Sequence, residues 1–109
     1  MYSDGNRLVD RVGPNTTGGA CAHYKIMDNN KVLVDIPFQS APIPDVGVEG
    51  ATNECLLAIV IDRLQSFQSG GFSCPENEIA LNSCKAALAA LEYRTTLRQN
   101  RGVEGKNVQ

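Results

Sequence analysis

The stretch TNECLLAIVIDRLQSFQSGG, residues 52–71, continued by FSCPENEIALNSCKAALAALEYRTTLRQNRG, residues 72–102, decides the fold. Thr52 is a good helix N-cap, and Glu54 falls in the first turn, where the helix dipole favours an anion. Leu56, Leu57, Ile59, Val60, Ile61 and Leu64 then spread apolar surface around most of a helix ending near Phe67. One partner helix and a small sheet hardly cover such a helix, so the pattern asks for subunit neighbours. Ser69-Gly70-Gly71 breaks the chain. Ser73 as cap, Pro75 in the first turn and Glu76 three residues after the cap open a second helix. Its Leu81, Cys84, Leu88 and Leu91 recur at alternating short spacings and form a narrow packing seam, flanked by Ala86, Ala87, Ala89 and Ala90. Gly102 closes this helix near Asn100. The reading is a hairpin of helices about 16 and about 26 residues long.

Upstream, residues 39–51 contain Pro42, Pro44, Gly47 and Gly50 and read as an irregular connection. Before it lie two short runs, Ala22–Met27 and Lys31–Phe38, joined by Asp28-Asn29-Asn30, which tolerates left-handed backbone. Val32, Val34, Ile36 and Phe38 alternate onto one face, and Pro37 belongs at an edge or strand end. Residues 1–20, rich in Gly, Asn and Thr, read as a flexible lead-in with one short strand at Leu8–Val12. The fold class is therefore α+β: a small N-terminal antiparallel β-hairpin or sheet, then a long C-terminal two-helix hairpin, assembling as a homo-oligomer. We expect a single domain over 1–109, divided into a lead-in (1–20), a β-hairpin (22–40), a helical hairpin (52–101) and a tail (102–109).

The 109 residues suit one small domain that gains from oligomerisation. A formal net charge of −2 gives no bulk attraction to a DNA or RNA polymer. The longest strongly apolar run, Leu56 to Ile61, is too short for a bilayer. Cys21, Cys55, Cys74 and Cys84 follow no secretory signal, so reduced thiols in a cytoplasm are expected rather than disulfides.

Catalysis needs a nucleophile with its base, or paired carboxylates; here the acids are scattered at helix starts and turns. Gly70-Gly71 precedes a helix but lacks the lysine of a phosphate loop. Cys21 and His23 offer two zinc ligands where a structural site takes four, so His23 reads as a sheet-edge residue and no metal or cofactor is expected. The long second helix is more informative. Arg94, Arg98 and Arg101 share one face. They complement the helix C-terminus, or they form an anion site whose forked donors match phosphate oxygens. At the turn, Phe67 and Phe72 either pack or stack on a purine, and Asn77 either polarises a first turn or reads a base edge.

Several elements together resemble a known family. They are Thr52-Asn53-Glu54, Ala58–Leu64, Phe67-Gln68-x-Gly70, Phe72-x-Cys74-x-Glu76-Asn77, Arg94 and Arg101-Gly-Val-Glu-Gly105, with the run Tyr24 to Gly47 before them. In these the chain is similar to the Thoeris anti-defence and anti-CBASS hairpin sponges of phages, in their strand-bearing, Thoeris anti-defence branch. The resemblance implies a non-enzymatic protein in the cytoplasm of the infected bacterium, with no cofactor. It would sequester cyclic ADP-ribose isomers, and cyclic di- and trinucleotides, as a hexamer that leaves them intact. By matching motif, Phe67 would stack on a base, Asn77 would hydrogen-bond the base or ribose, and Arg94 would meet the pyrophosphate; Arg98, on the same helix face, is counted with them as a ligand-binding residue. Gly50, Ala51 and Thr52 resemble a second pocket, where helix N-termini gather around a threefold axis. The chain departs from the family at Gly71, where proline is frequent, and at Lys106, where threonine is. Glu49 also sets a carboxylate beside the second pocket, which opposes phosphate. The competing expectation is an oligomeric helical scaffold that binds a protein partner through its arginine face.

Overall fold

A computed structural model describes residues 1–100, so Arg101 and the tail 102–109 lie outside the described residues. The elements are β1 (Tyr2–Ser3), β2 (Leu8–Arg11), β3 (His23–Asp28), β4 (Lys31–Pro37), α1 (Ile43–Val46), α2 (Asn53–Gln68) and α3 (Pro75–Asn100). The architecture is α+β, with an N-terminal antiparallel sheet followed by helices. By internal contacts the chain divides after Ala51 into two units.

The first unit is a four-stranded sheet in the order β1-β2-β3-β4, each strand antiparallel to the next. The β3–β4 turn forms as its residues dictate: Asn29 takes φ 53°, left-handed geometry that asparagine tolerates. Register then sorts the side chains. Tyr2, Val9, Ile26 and Val34 fall in one row across the four strands, with Arg11, Tyr24 and Ile36 in the next row on the same face. The other face carries the row Asp10, Lys25 and Asp35. His23 pairs with the Asp35 carboxylate there, and Pro37 ends the edge strand β4. The register slips at Ile26/Met27, a bulge that the alternation did not announce.

Residues 1–20 are more ordered than the lead-in expected: the short strand expected at Leu8–Val12 forms as β2, and β1 adds a further strand to the sheet. The cause is a local turn. The Asp4 carboxylate accepts hydrogen bonds from the Asn6 and Arg7 amides and pairs with the Arg7 guanidinium at 2.7 Å, while Gly5 takes φ 92°. The chain therefore reverses and pairs Tyr2 with Val9. The connection 39–51 is also more ordered than expected. Gln39 N–H donates to Ala51 O, and Ala51 N–H donates to Pro37 O. Inside the loop thus closed, α1 forms a single turn entered at Pro42.

The second unit is the helical hairpin. Thr52 caps α2 as expected, its hydroxyl oxygen accepting from Cys55 N–H at 3.3 Å. The second cap is corrected. Pro75 is the first helical residue, so the cap is Cys74 and not Ser73; its sulfur accepts from Asn77 N–H at 3.4 Å. Gln68 fastens the turn, accepting from Cys74 N–H and donating to Cys74 O and to Glu78. Along α3 the half-buried or buried positions are Asn77, Ala80, Leu81, Cys84, Leu88, Leu91, Thr95 and Arg98, a continuous seam that contains the expected one. It faces Leu57, Ile61 and Leu64 of α2. Only Ile61 and Leu81 among the described residues of this unit are buried; Ile59, Val60, Phe72, Ile79, Tyr93 and Leu97 are exposed.

Candidate functional site

The expected ligand residues occupy the two ends of the hairpin. At the turn end, Phe67 stands in the last turn of α2, 40% exposed. The Arg63 guanidinium lies 5.6 Å from its ring centroid, one helical turn back, within range of a cation–π contact. Asn77 is the third residue of α3; its backbone caps onto Cys74, and its side-chain amide has no hydrogen bond among the described residues. At the other end, Arg94 is exposed and pairs with no carboxylate among the described residues. Arg98, one turn on, is half-buried at the end of the seam.

The two ends do not meet within one chain. Asn77 and Arg94 lie on the same helix roughly 17 residues apart, about 25 Å along its axis. Phe67 and Asn77 are brought to one end, and Arg94 and Arg98 to the other. A stacked base and its phosphates need both kinds of group within about 10 Å, the scale of a helix diameter.

The second expected pocket is largely occupied by its own structure. A side chain at Gly50 would meet the Phe38 carbonyl carbon and Pro37 O, each at 2.7 Å, so glycine is required there for backbone packing. Both backbone hydrogen-bonding groups of Ala51 are engaged with β4 and Gln39. The Thr52 hydroxyl accepts from Cys55 N–H and donates to the Cys55 thiol, which lowers the thiol pKa. Glu49 is not a loose carboxylate. It accepts from the Ser40 hydroxyl and N–H, the hydroxyl bond chiefly holding its pKa below the usual value.

An open groove of about 410 Å³ on the hairpin, lined by Asn53, Leu56, Leu57, Val60 and Leu91, is almost wholly apolar. That chemistry suits packing better than an anion. Among the described residues no three His, Cys, Asp or Glu side chains gather as metal ligands, and no helix is long and apolar enough to cross a membrane. Sequence reasoning missed Arg63; its spacing of one turn before Phe67 was the available signal.

Two comparisons with known proteins bear on this arrangement. Residues 30–96, more than half the chain, match the family described as Acb2/Tad1, hairpin domain. The chain is also 40% identical over 101 residues to Thoeris anti-defense 1 of Bacillus phage SBSphiJ7, covering 93% of this chain and 71% of that protein.

Proposed function

This chain belongs to the Acb2/Tad1 hairpin-domain family, and on that premise we propose that it is a phage anti-defence protein that sequesters cyclic nucleotide immune signals without degrading them. Its ligands are cyclic ADP-ribose isomers and, by the same chemistry, cyclic di- and trinucleotides. It acts by mass action. Holding a signal at nanomolar concentration takes about 12 kcal/mol. Stacking on Phe67, hydrogen bonding to Asn77 and charge-assisted bonds from Arg94 and Arg98 are the terms that supply it.

The observation that carries this reading is the division of those groups between opposite ends of an uncovered hairpin. A base-reading end and a phosphate-binding end about 25 Å apart make a site only when two copies lie antiparallel. The outward side of α3 favours such docking. Ile79, Ser83, Ala86, Ala90, Tyr93 and Leu97 form a second stripe at alternating spacings of four and three, with small residues at the centre and large apolar ones at the ends. Antiparallel copies crossing near Ala86 and Ala90 would set Ile79 of each against Tyr93 and Leu97 of the other. The same crossing brings the acidic start of α3, with Glu76 and Glu78, towards the partner's arginine end, so that Asn77 of one copy and Arg94 of the other come to the same end of the pair. Repetition of such contacts through the open faces of α2 would build the hexamer. Gly50, Ala51 and Thr52 are the proposed second pocket. What they leave for a ligand is the open first-turn N–H groups of α2, which copies around a shared axis would pool.

The test is calorimetric titration with cyclic ADP-ribose isomers, 3′,3′-linked cyclic dinucleotides and cyclic trinucleotides, followed by denaturation and mass analysis of the released ligand. We expect one class to bind tightly, to return intact, and to lose at least about tenfold in affinity in Arg94→Ala. Asn77→Ala and Arg94→Ala chains, each inactive alone, should recover about a quarter of the sites when co-expressed, since one site of each mixed pair escapes both substitutions. No recovery would refute the two-copy site. No binding of any class by the wild-type protein would leave the protein-partner scaffold as the better account.

A further inference from the structure

Two aromatic side chains stand at the turn of the hairpin, and only one of them is held. Phe72 is 80% exposed and makes no ring or cation contact among the described residues. Phe67 is 40% exposed, and the Arg63 guanidinium lies over its ring, 5.6 Å from the centroid. The helix dictates this pairing. Helical side chains lean towards the N-terminus, so Phe67 in the last turn of α2 leans back over the turn that carries Arg63.

Arg63 has no acid to compete with the ring. Its neighbours three and four residues away are Ile59, Val60, Ser66 and Phe67, and no carboxylate lies within ion-pairing distance among the described residues. The backbone under Phe67 is fixed as well. Phe67 O accepts from Gly70 N–H, and Gln68 bonds both the N–H and the O of Cys74. The freedom left to Phe67 is rotation of its own side chain, which a stacked ligand must remove on binding. A cation over one face removes part of it in advance and leaves one face for a base. The turn that follows is uncrowded: a side chain at Gly71 would meet no atom within 4 Å. A cation–π contact also strengthens as water leaves it. A base laid on the open face of Phe67 shields the ring and guanidinium from water, so the contact is stronger with ligand than without.

We propose that Arg63 is a positioning residue of the ligand site, holding the Phe67 ring ready for one base and tightening the stack as the base excludes water. This rests on the sequestration reading, in which Phe67 stacks on a base. The experiment joins NMR of the free protein to titration of the full chain with cyclic ADP-ribose isomers, 3′,3′-linked cyclic dinucleotides and cyclic trinucleotides. In the free protein the Arg63 side-chain protons should carry an upfield ring-current shift that disappears in Phe67→Leu. Arg63→Met keeps an apolar stem and, at an exposed position, the melting temperature. It should weaken binding about three- to tenfold, chiefly through faster dissociation. Arg63→Lys, which restores a cation, should recover most of that loss. In a Phe67→Leu background, Arg63→Met should cost nothing more. An equal cost in both backgrounds would make Arg63 a direct phosphate contact and overturn the proposal, as would the absence of the ring-current shift. Wild-type binding that Arg63→Met leaves unchanged would remove this role alone. No binding of any class by the wild type would refute the sequestration reading, and this role with it.

Discussion

Two side chains show how strongly single hydrogen bonds set local behaviour. Asp4 lies at the surface, yet the amides of Asn6 and Arg7, and then the Arg7 guanidinium, pull its pKa from 3.8 to about 2. A depressed carboxylate stabilises the folded turn fully above its unfolded pKa, and that contribution is lost as pH falls through the folded one. The turn that lets β1 pair with β2 should therefore be unchanged from neutral pH to about 4, and should loosen only between about 4 and 2. The Asn6 and Arg7 amide shifts in an NMR pH titration report it directly; a midpoint near 4 would show that the bonds are not formed. Cys55 is the second case. The Thr52 hydroxyl donates to its sulfur at 3.2 Å and lowers the thiol pKa. Thr52→Ala should slow iodoacetamide labelling of Cys55 several-fold at neutral pH. It should also cost about 1 kcal/mol of stability through the lost cap. Thr52→Ser, which keeps the hydroxyl, should do neither.

Among elements, the loop closed by Ala51 and the seam of the hairpin make separate demands. Gly50→Ala would press a methyl group to 2.7 Å from Pro37 O and the Phe38 carbonyl carbon, prising apart the two bonds that join Ala51 to Pro37 and Gln39. A loss of roughly 1–3 kcal/mol in urea unfolding is expected, with faster hydrogen exchange at the Ala51 and Gln39 amides. Leu81→Ala empties the most buried position of the hairpin and should cost about 2–5 kcal/mol. Melting followed by helical circular dichroism would reveal it. The helices were legible in the sequence because their signals are local: the Thr52 cap, Pro75, and the Leu81–Leu91 spacing. What escaped was set by pairing at a distance or by unusual chemistry. Tyr2–Ser3 has no pattern of its own and becomes a strand only because Asp4 turns the chain. Cys74 caps with sulfur, outside the usual oxygen-bearing set. Glu49 was read as a free charge because nothing local announces Ser40, nine residues away, as its partner. The distance between Asn77 and Arg94 was legible from helical rise alone, and it is what leads the proposed site to draw on two copies.

For the molecule as a whole, the decisive quantity is how little each chain buries. Cys21, Ile61 and Leu81 are the only buried apolar residues among the described residues, while an apolar stripe on α3 and the Ile59 and Val60 face of α2 stay open. If copies cover these faces, the melting temperature must rise with protein concentration. Analytical ultracentrifugation and melting curves over a hundredfold dilution should move together, and Tyr93→Asp should lower both the oligomer mass and the melting temperature. A melting temperature independent of concentration, with a monomer by mass, would remove the assembly from the account.

So thin an interior also sets a clock. If copies cover one another's apolar faces, a newly made chain opens readily until it meets another, and an opened chain is what proteases cut. Encounter is second order in concentration, so the first copies made in a cell would be the shortest-lived. Protection would then appear after a lag that shortens steeply with the rate of synthesis, and a late or weak promoter would forfeit most of the protein it produces.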